Sequence, residues 1–169
     1  APALPGEERM AGRPVKVSPI YNKLKEKGAI YTETFGWERP KCFMPPGVEE
    51  IPSFRRTNAF DVVGAECKNV RRNVGVIDLT SFSKFIVSGK DSASFLSRLC
   101  ANKVPHKTGA ISLSHMLTRD GCIESEITIT NLGDNNFYIL SSILAQIHDF
   151  DWLTQHKLND EDVLIEDIT

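Results

Sequence analysis

The chain has 169 residues, 41% hydrophobic and 25% charged, with nine prolines, four cysteines and a formal net charge of −2. This composition excludes a disordered or collagen-like polymer, and the apolar runs, such as Phe137-Tyr138-Ile139-Leu140, fall far short of the roughly 20 residues of a bilayer-spanning helix. A general nucleic-acid binder is excluded as well, because phosphate neutralisation needs a clustered basic surface. Charge is uneven along the chain, +3 over residues 1–60, +2 over 61–130 and −7 over 131–169. The acidic end therefore reads as a solvated face or one that meets a basic partner.

Ala1 to Glu8 has neither a basic n-region nor an apolar h-region, so no uncleaved secretory signal is expected. Next, Ser18 as N-cap, Pro19 in the first turn, Ile20 and Leu24 on one face and Gly28 as the stop predict a short helix. Gly36-Trp37-Glu38-Arg39-Pro40, Pro45-Pro46-Gly47 and Pro52 read as irregular chain, since proline fixes φ and lacks an N–H donor. Residues 1–57 are accordingly expected to be an arm with one short helix, and residues 58–169 the compact body.

Asn58 is placed to cap a helix whose core stripe is Phe60, Val63, Cys67 and Val70. Gly75 to Ile77 and Phe82 to Val87 read as short strands, and Asp91 or Ser92 caps a helix burying Phe95, Leu96, Leu99 and Cys100. Ile111 to Leu117 and Cys122 to Thr130 flank Asp120-Gly121, a dipeptide suited to a two-residue hairpin turn in which both central residues take positive φ. A turn at Gly133-Asp134-Asn135-Asn136 leads to a strand at Phe137 to Ser141, a helix carrying Ile143, Ile147, Phe150 and Leu153, and a last strand at Val163 to Asp167. The predicted fold class is α+β, a mostly antiparallel sheet with packed helices.

On the strand after Asp120-Gly121, period two puts Ile123, Ser125, Ile127 and Ile129 on one face and Cys122, Glu124, Glu126, Thr128 and Thr130 on the other. Paired carboxylates on such a face serve acid/base chemistry if a cavity surrounds them, and a plain solvent edge otherwise. The cysteines Cys42, Cys67, Cys100 and Cys122 stand singly, as reduced thiols of a cytosol-like compartment. The four histidines have no metal-ligand spacing, so no metal site is expected. No serine sits in G-x-S-x-G and no G-x-G-x-x-G is present, which argues against a hydrolase elbow and a dinucleotide loop in this chain. His148-Asp149 reads as a surface or capping pair.

Several stretches together resemble one family. They are Gly12-Arg13-Pro14 with Ser18-Pro19-Ile20-Tyr21, Gly28-Ala29, Gly36-Trp37-Glu38-Arg39-Pro40, Phe60 to Arg72, Gly75-Val76-Ile77-Asp78-Leu79-Thr80, Ser83-Lys84-Phe85, Gly121 to Thr130, and His148-Asp149 with Trp152. The family comprises bacterial relatives of dimethylglycine dehydrogenase and sarcosine dehydrogenase, whose C-terminal half resembles the T-protein (aminomethyltransferase) of the glycine cleavage system. The resemblance implies a parent in which a flavin domain oxidises an N-methyl amine to an iminium and a folate-binding half captures the one-carbon unit as methylene-tetrahydrofolate. It places this chain in the linker and first folate-binding subdomain, with the FAD site in a missing upstream domain and the remaining subdomains of the parent as partners. On this reading the chain by itself has no turnover.

The resemblance also aligns Glu126 with a carboxylate that sits beside the pteridine and assists one-carbon transfer. The family usually has Asp there, so Glu reaches one methylene, about 1.5 Å, further. Tyr138 and Leu117 are the further cofactor-binding candidates for tetrahydrofolate. Two departures from the family pattern, Cys42 in place of a Trp and Ser142 in place of an Asn, together with the acidic end, open a second reading. In that reading the chain is a non-catalytic interaction module, since the same architecture occurs in a regulatory subunit of pyruvate dehydrogenase phosphatase. The expected compartment is the cytoplasm, or the mitochondrial matrix in a eukaryote.

Overall fold

The computed structural model describes Leu4 and residues 6–169. The chain divides after Ser81 into two units, the second being Phe82–Thr169. In the first, helix α1 (Tyr21–Glu26) begins two residues after the predicted start, because Ser18 and Pro19 are spent in a turn closed by Tyr21 N–H donating to the Ser18 carbonyl at 3.0 Å. Gly28 ends it at φ 87°, and a Cβ there would meet the Met44 carbonyl oxygen at 2.3 Å.

Strands β1 (Ala29–Thr34) and β2 (Trp37–Phe43) then form an antiparallel hairpin where the sequence reads as irregular. Its turn is Phe35-Gly36, both at positive φ, a geometry whose twist matches that of the flanking strands. Pro40 is accommodated because the register slips beside it, Tyr31 facing Pro40 and Ile30 facing Cys42. At such an irregularity the missing N–H is tolerated.

Helix α2 (Ala59–Arg72) is present as predicted, but its expected core stripe is not buried. Phe60 is 51% and Val70 55% exposed, and Cys67 is exposed too. The face that packs is a different one: Ala59 and Val62 join Cys42, Met44 and Ile30, and the Glu66 carboxylate accepts a hydrogen bond from Phe43 N–H at 3.2 Å. Apolar residues at 59, 62, 60, 63 and 70 supply two overlapping helical periods, and pairing with β2 selects the first. Val70→Ser is therefore expected to change unfolding free energy by less than about 0.5 kcal/mol, the ordinary range of a surface substitution, in a urea titration. The predicted strand at Gly75 to Ile77 does not form; residues 74–79 are irregular, with Val76 and Ile77 exposed.

The second unit is built on a five-stranded sheet in the order β4-β5-β6-β3-β7, antiparallel throughout. Its strands are β3 (Ser83–Ser88), β4 (Ile111–Leu117), β5 (Ile123–Gly133), β6 (Asn136–Ser141) and β7 (Leu164–Asp167). Helices α3 (Ser92–Leu99) and α4 (Gln146–Gln155) belong to the same unit. Phe85, Val87, Met116, Ile127, Ile129, Phe137 and Ile139 of the strands form one core with Phe95, Leu96 and Leu99 of α3 and Leu153 of α4. Within α4 the predicted Ile147 is exposed, and Asp149 takes the inward position instead.

The two-residue turn expected at Asp120-Gly121 forms at the other hairpin. The loop at Asp120-Gly121 is longer than two residues: Gly121 N–H and Thr118 N–H are bonded to the carbonyls of Thr118 and Cys122, and of Asp120 and Gly121 only Gly121 has positive φ. The two-residue turn with both central residues at positive φ is Asp134-Asn135, between β5 and β6.

Candidate functional site

Because α3 and α4 cover one face of the sheet, alternate residues of β4, β5 and β6 turn to the other. Leu113 of β4, Glu126 and Thr128 of β5 and Leu140 of β6 line a cleft of about 200 Å³ there, with Phe82 and Ser142 at its border and Ser125 and Ser141 among its lining residues. Glu126 stands directly across the hairpin from His115, with 62% of its side chain exposed. Its Oε2 lies 3.1 Å from His115 Nε2. Among the described residues Oε1 has no hydrogen-bond partner, so one oxygen of this cleft-lining carboxylate is held and the other is not.

The predicted pairing of Glu124 with Glu126 on one face is corrected by a bulge. Leu117 pairs with Ile123 but Met116 with Ser125, which leaves Glu124 as an extra residue of β5. Glu124 turns to α4, where its Oε1 is 2.7 Å from His148 Nε2. Only Glu126 is left at the cleft.

Tyr138 lies on the same face as Glu126 but opposite Thr130, four residues or roughly 13 Å further along β5. It does not line the cleft, and burial raises its phenol pKa. Leu117 lines a separate depression of about 320 Å³ with Arg98, Cys100, Arg119 and His156. The structure thus places the three candidates apart, with Glu126 alone at the cleft. In the same depression, burial pushes the Cys100 thiol up to about 11, so it stays protonated and is a poor nucleophile.

Reading the sequence for site residues missed His115 and Asp149. Counting outward from Asp120-Gly121 as a two-residue loop pairs residue 115 with 126, which is the register observed, because the longer loop and the bulge at Glu124 cancel. That signal was present. Asp149 lies four residues before the core residue Leu153 and shares its face, but a carboxylate there breaks the apolar stripe and reads as surface. Among the described residues no group of three metal-ligating side chains forms, and no helix is long and apolar enough to cross a membrane.

Comparison with known proteins adds sequence and fold relationships. Residues 20–169 match the family described as the GCVT N-terminal domain. The chain is 41% identical over 169 residues to mitochondrial dimethylglycine dehydrogenase of Rattus norvegicus, an alignment covering 98% of this chain and 20% of that protein. It is 32% identical over 173 residues to the mitochondrial pyruvate dehydrogenase phosphatase regulatory subunit of Mus musculus, again covering 98% of this chain and 20% of that protein. The crystal structure of glycine cleavage system aminomethyltransferase T from Bartonella henselae superposes with a TM-score of 0.70 at 18% identity, covering 91% of this chain and 38% of that one. That likeness carries the α+β fold. The chain spans about a fifth of the length of the two curated relatives.

Proposed function

The chain belongs to the GCVT N-terminal domain family, and from that premise we propose that it is the first part of a tetrahydrofolate-binding, one-carbon-transfer domain within a longer flavin-linked dehydrogenase of the dimethylglycine and sarcosine type. The observation that carries this reading is a single carboxylate, Glu126, lining a cleft on the sheet face opposite α3 and α4, with only its Oε2 hydrogen-bonded among the described residues. Leu113, Leu140 and Phe82 give the cleft apolar walls and Thr128 a hydroxyl, which suits one edge of a flat, polar-rimmed ring system. At about 200 Å³ the cleft takes part of a folate, and the remaining walls come from the rest of the longer protein.

Bound tetrahydrofolate supplies the nitrogen that takes up a one-carbon unit. The residues of this chain do the rest at their own atoms. His115 Nε2 holds Oε2 of Glu126, and Oε1 accepts a proton or stands against a developing positive charge. Once the remaining walls close over the cleft, its apolar side chains exclude water, which strengthens both effects. FAD belongs elsewhere in the longer protein, since no dinucleotide-binding glycine loop is present in this chain. The rat relative is named as mitochondrial, and we assign this chain to the matrix or an equally reducing compartment; its four cysteines are free.

The match to the phosphatase regulatory subunit favours a second reading, a non-catalytic interaction module of the same fold. Thermal unfolding of the longer protein against added tetrahydrofolate separates the two. A ligand that binds only the native state stabilises it by about 2.7 kcal/mol at 100 times its dissociation constant, so a saturable rise in Tm is expected. No shift at any concentration favours the interaction module.

A further inference from the structure

Beneath the cleft lies a carboxylate that the proposed chemistry does not use. Asp149 of α4 is 0% exposed. Its Oδ2 accepts hydrogen bonds from Ser125 Oγ at 2.9 Å and from Ser141 Oγ. Its Oδ1 lies 2.9 Å from His148 Nδ1, and Nε2 of the same ring lies 2.7 Å from Glu124 Oε1. Ser125 directly precedes Glu126, Ser141 directly precedes Ser142, and all four line the cleft. One buried carboxylate therefore ties together the two strands between which the cleft opens.

Burying an ionised carboxylate is costly unless it is paired and hydrogen-bonded. Two serine hydroxyls and one ring N–H supply the bonds here. An imidazole facing a carboxylate at each nitrogen donates to both only as the imidazolium, so this arrangement also supplies the opposite charge. We propose that Asp149 is a positioning residue for Glu126, clamping Ser125 and Ser141 from the helix side, with the His148 imidazolium as its counter-charge. The inference rests on the reading that Glu126 marks the site.

The charged groups facing the His148 ring are Glu124 of β5 and Asp149 of α4 itself, while β6 contributes the uncharged Ser141 through Asp149. Hydrogen bonds to Asp149 first, then to Glu124, hold the ring's pKa above its ordinary value. For a group whose folded pKa is raised, the stabilisation is complete below the unfolded value, about 6.5, and is lost as pH rises through the folded value. The clamp is thus complete in mild acid and loosens on the alkaline side.

The test is a pH titration of this chain by ¹⁵N–¹H NMR. Backbone amides of residues 125–127 and 141–142 are expected to shift with the midpoint of the His148 ring signals, and His148→Gln is expected to abolish that transition in both segments. His148 is half exposed, so the variant keeps its core. Amides that stay still while His148 titrates, or the same transition in His148→Gln, overturn the proposal. In the longer protein, His148→Gln is expected to slow single-turnover methylene transfer by about 10- to 100-fold, the scale of an ångström of misplacement, to flatten its pH profile, and to leave tetrahydrofolate affinity within about threefold. Unchanged transfer there, alongside a loss of transfer in Glu126→Gln, overturns the clamp and leaves the site reading intact. Unchanged transfer in Glu126→Gln overturns the site reading, while the NMR coupling, which needs no folate, still decides the clamp.

Discussion

Replacing Glu126 by Gln in the longer protein is expected to leave tetrahydrofolate affinity within about threefold and to slow single-turnover methylene transfer by roughly 10²- to 10⁴-fold, the span of a positioned proton-transfer group. The amide keeps the volume and the hydrogen-bonding reach of the side chain, and His115 Nε2 can still donate to its carbonyl oxygen. It removes the negative charge and the basic oxygen. A change confined to transfer thus separates chemistry from binding. Glu126→Asp draws the carboxylate back by about 1.5 Å and away from His115; a shift of that size costs on the order of 100-fold where Glu is the evolved length. Rapid-quench measurement of methylene-tetrahydrofolate in one turnover reads both. Transfer at the wild-type rate in Glu126→Gln removes this residue from the mechanism.

The second unit was largely legible because its signals are local. Alternation on β5 placed Ile127 and Ile129 in the core, and period 3.6 in α3 placed Phe95, Leu96 and Leu99 there. Errors arose where one local signal had two solutions. Helix α2 carries two apolar faces, and only the tertiary partner, β2 with Cys42, decides between them. Pro40 argued against a strand, yet the register slip beside it absorbs the missing donor. Period two along β5 put Glu124 beside Glu126, and a one-residue bulge turned it to His148. At the site, Glu126 was singled out by its strand face and by family resemblance. Its neighbour His115 follows from counting the hairpin register, whereas the contacts from α4, a helix 20 residues downstream, depend on tertiary packing that no linear pattern records.

Arg13→Met is expected to destabilise the first unit by about 3–5 kcal/mol, the cost of removing one partner of a buried ion pair. The Arg13 and Glu38 side chains are only 7% and 3% exposed. The guanidinium grips Glu38 at two points, Nε to Oε1 at 2.8 Å and Nη2 to Oε2 at 2.6 Å, while Nη1 reaches Glu8 at 2.8 Å. Hydrogen bonding to Glu38 raises the Arg13 pKa further above an already high value, so the guanidinium is charged at any working pH. Around it the segment before α1 is stitched to β2, Lys16 N–H donating to the Gly36 carbonyl and Glu38 N–H to the Lys16 carbonyl. Gly36-Trp37-Glu38-Arg39-Pro40 therefore has a structural use, a tight turn followed by the buried acceptor for Arg13. With Met at 13, the Glu38 carboxylate is left buried with neither its counter-charge nor its bidentate donor. Urea unfolding followed by Trp37 fluorescence, in a Trp152→Phe background, measures the loss. The pair Arg13→Met with Glu38→Leu is the decisive companion, because an apolar replacement of both partners is often neutral or stabilising. Recovery of most of the lost stability in the double variant means the cost came from the orphaned carboxylate. No recovery means that the guanidinium's contacts to Glu8 and to the Tyr31 carbonyl hold the segment in place.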